Sequence, residues 1–142
     1  MSVSRFQRLF GLPNYYISEQ VHNPAHPDTL LLVMDYLNFT MPNGPCDVCK
    51  ASGTFVGHGR QERRCRDVMR EGKHVELLIR IPRYRCNQCS ALFRADDEVK
   101  SFIDNRRGFS KRLVAEIQRK CITLSYADVE REYQIPSQSI KN

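Results

Sequence analysis

The chain has no tryptophan and no long apolar run. Its longest uninterrupted apolar stretch, Leu30 to Met34, falls far short of the roughly 20 residues that cross a bilayer as a helix. The opening MSVSRFQRLF also lacks the apolar core of a secretory signal. A membrane span and an exported precursor are therefore not expected, and the expected location is the cytoplasm. Length excludes a large multidomain enzyme, since 142 residues suffice for one ordinary domain or two very small ones. Disorder is excluded from the other side: 41% of the residues are hydrophobic and 27% charged, with a mean hydropathy of -0.51, which is the balance of a globular chain.

Acidic side chains are scarce where basic ones gather. Residues 46–94 hold 11 basic and 5 acidic side chains, residues 1–45 hold 2 and 3, and residues 95–142 hold 9 and 8. The net charge of +6 is thus concentrated in the middle third. Such a patch suits a polyanion, because each Lys or Arg that meets a phosphate releases a condensed counterion; a solvated basic face is the plainer alternative.

Four of the six cysteines form two Cys-x-x-Cys pairs, Cys46-Asp-Val-Cys49 and Cys86-Asn-Gln-Cys89. Two residues between thiolates let one tight turn aim both sulfurs at a single ion, and two such knuckles complete a tetrahedral zinc site. One structural zinc is the expected cofactor. Disulfides would need an oxidising compartment, and a redox Cys-x-x-Cys normally occurs once, beside a βαβ pattern. Iron in a rubredoxin-like carrier also suits four thiolates. His58 and Cys65 are ligand types too, but the knuckles already supply four donors, so both are expected to stay off the ion. Lys50, Arg83 and Arg85 can offset the negative charge of the thiolates.

Between the knuckles, Val75, Leu77, Ile79 and Ile81 alternate with Glu76, Leu78, Arg80 and Pro82, the period of a half-buried strand. Arg60 to Met69 pairs with it across Arg70-Glu71-Gly72-Lys73. Pro82, which has no N–H, is expected at a strand end or edge. Two knuckles joined by antiparallel strands make a zinc ribbon. Its small sheet carries Arg60, Arg63, Arg64, Arg66, Arg80, Arg83 and Arg85, a candidate phosphate-tracking surface, with Tyr84 among them as packing or as a stacking platform.

Upstream, Tyr15 to Val21 and Leu30 to Asn38 read as strands around a turn-rich segment, His22 to Asp28, whose His22 and His26 are turn residues. Phe6, Leu9 and Phe10 have helical spacing before a stop at Gly11 and Pro13. Downstream, Asp96-Asp97-Glu98 reads as a solvated acidic bend, because adjacent carboxylates cannot converge on two metal ions, and residues 104–108 as a connector. Ser110 caps a helix to about Ile122 with Leu113, Ile117 and Cys121 on one face and Val114 beside them. Ser125-Tyr126-Ala127-Asp128 opens a second helix to about Tyr133. Ser137 caps a third, of which one turn remains. This is the layout of a helix-turn-helix, whose last helix sets its N-terminal residues against base edges; a generic helical hairpin shares it. Glu130 and Gln134 stand where that motif usually has a small residue and a turn glycine.

With these elements in order, the chain resembles the N-terminal region of the ISL-three insertion-sequence transposases. The matching residues are Gly11-Leu12-Pro13, Cys46-Asp-Val-Cys49, His58-Gly59-Arg60, Arg83-Tyr84-Arg85-Cys86, Cys89, Phe93 and Tyr126 to Ile140, which cover nearly the whole chain. Lys50 departs from the glycine that usually follows the first knuckle. The resemblance implies a DNA-binding region that recognises the terminal inverted repeats of a mobile element, in a bacterial cytoplasm at the nucleoid. It also implies a following RNase H-like catalytic domain of the DDE type, with two Asp and one Glu binding Mg²⁺, which this chain lacks. On that reading the chain is no enzyme itself and is a piece cut off one turn into the recognition helix. Double-stranded DNA is the expected partner, a homo-oligomer is an open option, and neither a membrane nor a small-molecule substrate is expected. A stand-alone repressor and a protein-interaction ribbon are the competing readings.

The expected fold is α+β: an N-terminal β segment over 1–45, a zinc ribbon over 46–95 and a helix-turn-helix over 104–142. Candidate metal ligands are Cys46, Cys49, Cys86 and Cys89. Candidate DNA contacts are Arg60, Arg63, Arg64, Arg80, Arg83 and Arg85 on the ribbon, Arg106, Arg107 and Lys111 after it, and Ser137, Gln138, Ser139 and Lys141 in the last helix. No catalytic residue is assigned.

Overall fold

The computed structural model describes residues 9, 11–53, 55–104 and 108–134. Their elements are β1 (Tyr15–His22), β2 (Thr29–Tyr36), β3 (Phe55–Arg70), β4 (Lys73–Cys86), β5 (Leu92–Arg94), α1 (Asp97–Phe102), β6 (Ile103–Asp104), β7 (Phe109–Ser110), α2 (Lys111–Lys120) and α3 (Tyr126–Tyr133). The fold is a mixed α+β one, and no helix among the described residues is long and apolar enough to cross a membrane.

The β3–β4 hairpin is the spine. It turns at Glu71-Gly72, both at positive φ (53° and 77°), the two-residue geometry whose twist matches the flanking strands. Val75, Leu77, Ile79 and Ile81 of β4 are all buried, as their alternation requires. On one side of β4, β2 runs parallel and sets Leu30, Leu32 and Met34 beside Val75, Leu77 and Ile79. β1 then adds antiparallel to β2, with an irregularity between Ile17 and Glu19. The N-terminal strands and the ribbon hairpin therefore share one sheet, ordered β1-β2-β4-β3-β7-β6, with β5 on β4. Leu12, Tyr15, Val99, Phe102 and Ile103 close this core. Each fully buried side chain of this kind contributes about 1.5–3 kcal/mol.

Two local expectations change. Pro82 lies inside β4 and is buried. The sheet tolerates it because β2 stops pairing at Ile79, β5 starts only at Arg83, and β3 bulges between Gly57 and Arg60 opposite it, so the ladder is already interrupted around the missing N–H. Asp96-Asp97-Glu98 opens α1 rather than forming a solvated bend. Asp96 is buried at the N-cap position and pairs with Arg94 (3.5 Å) and Lys100 (3.6 Å), while Glu98 accepts a hydrogen bond from the Asn14 N–H (3.1 Å). Acidic groups in a first turn also suit the helix dipole.

The helices form a second core: Leu113, Ile117, Val129 and Tyr133, with Val68, Phe109 and Cys121 against them. Ser110 Oγ accepts from the Leu113 N–H (3.2 Å) and Ser125 Oγ from the Asp128 N–H (3.1 Å), the two caps expected from the sequence. α2 ends at Lys120 and α3 at Tyr133. Gln134 takes the left-handed conformation (φ 55°, ψ 50°) at the end of α3. Two polar ties fasten this core to the sheet. Buried Asp67 accepts from Ser110 Oγ (2.7 Å) and Arg112 Nε (2.9 Å), and Arg66 donates to the carbonyls of Tyr133 and Gln134 at the C-terminus of α3. Phe6, Phe10 and the expected third helix from Ser137 lie outside the described residues.

Candidate functional site

The two knuckles are the same local structure. In the first, the Lys50 N–H donates to the Cys46 carbonyl (2.9 Å) and the Cys46 N–H to the Ala51 carbonyl (2.8 Å); in the second, Ser90 donates to Cys86 (2.8 Å) and Cys86 to Ala91 (2.9 Å). Lys50 and Ser90 both sit at positive φ, 68° and 64°. The residue after each second cysteine is left-handed, the conformation glycine adopts most readily, which accounts for the glycine that the resemblance leads one to expect at position 50.

β4 ends at Cys86, opposite Phe55 at the start of β3, and this brings the knuckles face to face. The four sulfurs lie within 4.8 Å of one another, with Cys46–Cys89 at 3.7 Å and Cys49–Cys86 at 3.6 Å. Four sulfurs at about 2.3 Å from a tetrahedral zinc are about 3.8 Å apart, so the donor set fits that ion. The Cys49 backbone N–H, opposed by burial and helped by that of Val48, holds the Cys46 thiol below its usual value. The Ala91 N–H acts in the same sense on Cys89, but burial and the sulfurs of Cys86, Cys46 and Cys49 outweigh it and push that thiol up to about 11. Four thiolates this close repel one another, and a cation among them offsets that repulsion. With four protein donors the site is closed, and the zinc is structural. It ties the strand ends together and offers no position for a reacting water.

Behind the sulfurs, Tyr84 stacks on Phe93 (5.4 Å between centroids) and meets Phe55 edge-on (5.1 Å), with Phe39 at 6.1 Å. Tyr84 belongs to the packing of the ribbon. Cys65 is in the core at 2% exposure, its thiol pushed up to about 12 by burial and then by Asp67. His58 is exposed on β3. Neither joins the cluster of four.

The sheet carries the expected arginines, but its alternation divides them. Arg63 stands opposite Ile79, on the apolar face. Arg64 and Arg80 sit opposite Leu78 and Glu62, and residues opposite one another share a face, here the other one. There, acids meet them. Asp35 of β2 accepts from Arg60 (3.4 Å) and Arg80 (3.1 Å), Glu62 lies 3.8 Å from Arg80, and Glu76 pairs with Arg64. Arg83 and Arg85 are half-buried near the metal end of β4, and their side chains have no hydrogen bond or ion pair among the described residues. Lys111 is exposed at the start of α2. Arg106, Arg107, Ser137, Gln138, Ser139 and Lys141 lie outside the described residues. The role of Asp35 had no sequence signal, since its partners are 25 and 45 positions away.

Knuckles, antiparallel hairpin and closed sulfur cluster define a zinc ribbon. Residues 42–89 match the family model described as the zinc-finger of transposase IS204/IS1001/IS1096/IS1165, so the resemblance read from the motifs holds over that segment. No curated protein and no solved structure matches the chain.

Proposed function

We propose that this chain is the zinc-dependent DNA-binding region of a transposase, which recognises the terminal inverted repeats of a mobile element at the bacterial nucleoid and brings a separate catalytic domain to them. The observation that carries this reading is the match of residues 42–89 to a transposase zinc-finger, over a segment whose four sulfurs have zinc geometry. Zinc holds the ribbon rigid and takes no part in chemistry. Cations around its metal end meet phosphates, which position a protein on duplex without choosing sequence. α2 and α3 serve as the first two helices of a helix-turn-helix, with Arg106, Arg107 and Lys111 near the backbone. Ser137, Gln138, Ser139 and Lys141 reach base edges. DNA cleavage is work for an RNase H-like DDE domain rather than for the zinc ribbon.

The test is competition between an element-end duplex and a random duplex for the zinc-loaded chain, over a range of salt. The reading requires a preference for the element end on top of a salt-dependent affinity for both. Equal affinities with equal salt slopes would reduce the chain to a basic ribbon that reads charge alone.

A further inference from the structure

Beside the β3 bulge lies a cleft of about 410 Å³ whose charges are unbalanced. The segment Gly57-His58-Gly59-Arg60 lines it together with Arg83 and Phe39. None of the described residues lining it is acidic. The nearest carboxylate identified above, Asp35, is already shared between Arg60 and Arg80.

Arg83 is the telling residue. Its Nε is buried with no hydrogen-bond partner, and the side chain has no ion pair among the described residues. A guanidinium carries five donors in a fixed fork, and leaving a buried charged donor unpaired is costly. An anion in the cleft, which Arg83 lines, would meet the guanidinium through atoms other than the buried Nε and balance its charge. Gly59 is at φ +69°, the left-handed backbone that favours glycine, and a Cβ there would be in ordinary contact with Arg83 Nη2 at 3.8 Å, so the bulge brings the backbone up to the guanidinium. Glycine at 59 therefore answers the bulge conformation.

We infer that this cleft takes one phosphodiester of a DNA backbone, bound by the Arg83 fork with Arg60 beside it and the attached sugar against Phe39. The inference deepens the DNA-binding reading and rests on it. It gives the His58-Gly59-Arg60 and Arg83-Tyr84-Arg85 motifs, far apart in the chain, a single purpose: the first builds the bulge that opens the cleft, and the second supplies its donor.

The experiment uses the full zinc-loaded chain and a labelled random duplex of about 20 base pairs, followed by fluorescence anisotropy between 50 and 300 mM salt (roughly the range over which counterion release is read). Arg83→Gln, with wild-type zinc content and melting, should lower the salt slope by about one unit and weaken binding about tenfold at 0.1 M salt. Arg83→Lys should restore the slope but only part of the affinity, because a point charge replaces a fork. In the wild type, the amide resonances of Gly57 and Gly59 should shift on titration with duplex, a readout that needs no variant. Wild-type binding with an unchanged slope for Arg83→Gln, or with unmoved glycine amides, overturns the cleft while leaving the DNA-binding reading intact. If inorganic phosphate moves those amides and duplex does not, the cleft is a site for a free anion and the inference also fails. Absence of any duplex binding by the wild type would end both.

Discussion

Arg112→Leu should destabilise the chain by about 3.5–4 kcal/mol, although Arg112 is neither a metal ligand nor a candidate DNA contact. Its partner Asp67 has a side chain only 1% exposed, against 30% for Arg112. Asp67 takes hydrogen bonds from Arg112 Nε and Nη2 and from Ser110 Oγ, and that same hydroxyl caps α2 through Leu113. Leucine keeps an apolar stem but leaves a buried carboxylate with one donor. Removing one member of a buried pair costs about 3–5 kcal/mol, and we take the low end because Arg112 is partly solvated. Loss of the guanidinium from above the Phe102 ring, 5.1 Å from its centroid, adds about 0.5–1 kcal/mol. For a chain of 142 residues, at about 2.1 cal/mol/K of unfolding entropy per residue, this corresponds to a fall in Tm of about 12–13 °C. The assay is thermal unfolding by circular dichroism with zinc in excess. Adding Asp67→Asn removes the stranded charge, so the double variant should recover about 2 kcal/mol of the loss. A single-variant cost below about 1 kcal/mol, or two substitutions whose costs simply add, would refute the idea that this pair locks the helices to the sheet.

Two further outcomes follow from named contacts. Lys50→Gly should raise the stability of the zinc-bound chain by about 0.5–1 kcal/mol, because relief of the left-handed backbone, about 1–2 kcal/mol, outweighs glycine's extra unfolded-state entropy and the loss of the exposed Lys50 Nζ bond to the Asp47 carbonyl; a lower Tm for the variant would show that Lys50 is not strained. His74, 8% exposed, faces Arg66 Nη2 through Nδ1 at 2.9 Å, and because arginine only donates, that nitrogen must accept and the ring is neutral. Burial first, then Arg66, hold its pKa below the usual 6.5 against the opposing pull of Asp28, so its contribution is full above pH 6.5 and is lost as pH falls through the lowered folded value. Urea unfolding from pH 7.5 down to pH 5 should therefore show a steeper loss for the wild type than for His74→Gln, in which protonation of the zinc ligands is common to both and cancels; superimposable profiles would exclude His74 as the source.

What could be read from the residues was local. The cysteine spacing marked the knuckles, the alternation from Val75 to Ile81 marked β4, Glu71-Gly72 marked its turn, and Ser110 and Ser125 marked two helix starts, because each depends on neighbours within a few positions. The parallel pairing of β2 with β4 had no such mark: Leu32 meets Leu77 through the assembled sheet, and any apolar strand of that length would look the same in sequence. α1 is six residues long, too short to show a helical period, and its acidic start resembles a solvated bend until Arg94, Lys100 and the Asn14 N–H are seen around it. Lys50 illustrates a third limit. Its departure from glycine was visible, but the reason glycine is usual there, a left-handed residue closing the knuckle, depends on a backbone angle. At the candidate site, composition placed the positive charge in the right third of the chain. Only the strand register showed that Asp35, Glu62 and Glu76 occupy much of it and that Arg83 stays unpaired among the described residues.

Whether zinc holds a ribbon that binds DNA is tested by the affinity of one preparation for duplex DNA when zinc-loaded, after chelation, and after one equivalent of zinc is returned. A structural zinc site contributes on the order of 10 kcal/mol or more to folding, so chelation should unfold the ribbon and lower duplex affinity at least tenfold, with full recovery on refilling and none in Cys86→Ser. A metal-free chain that kept its affinity, or a refilled, folded chain that bound no duplex, would contradict the account.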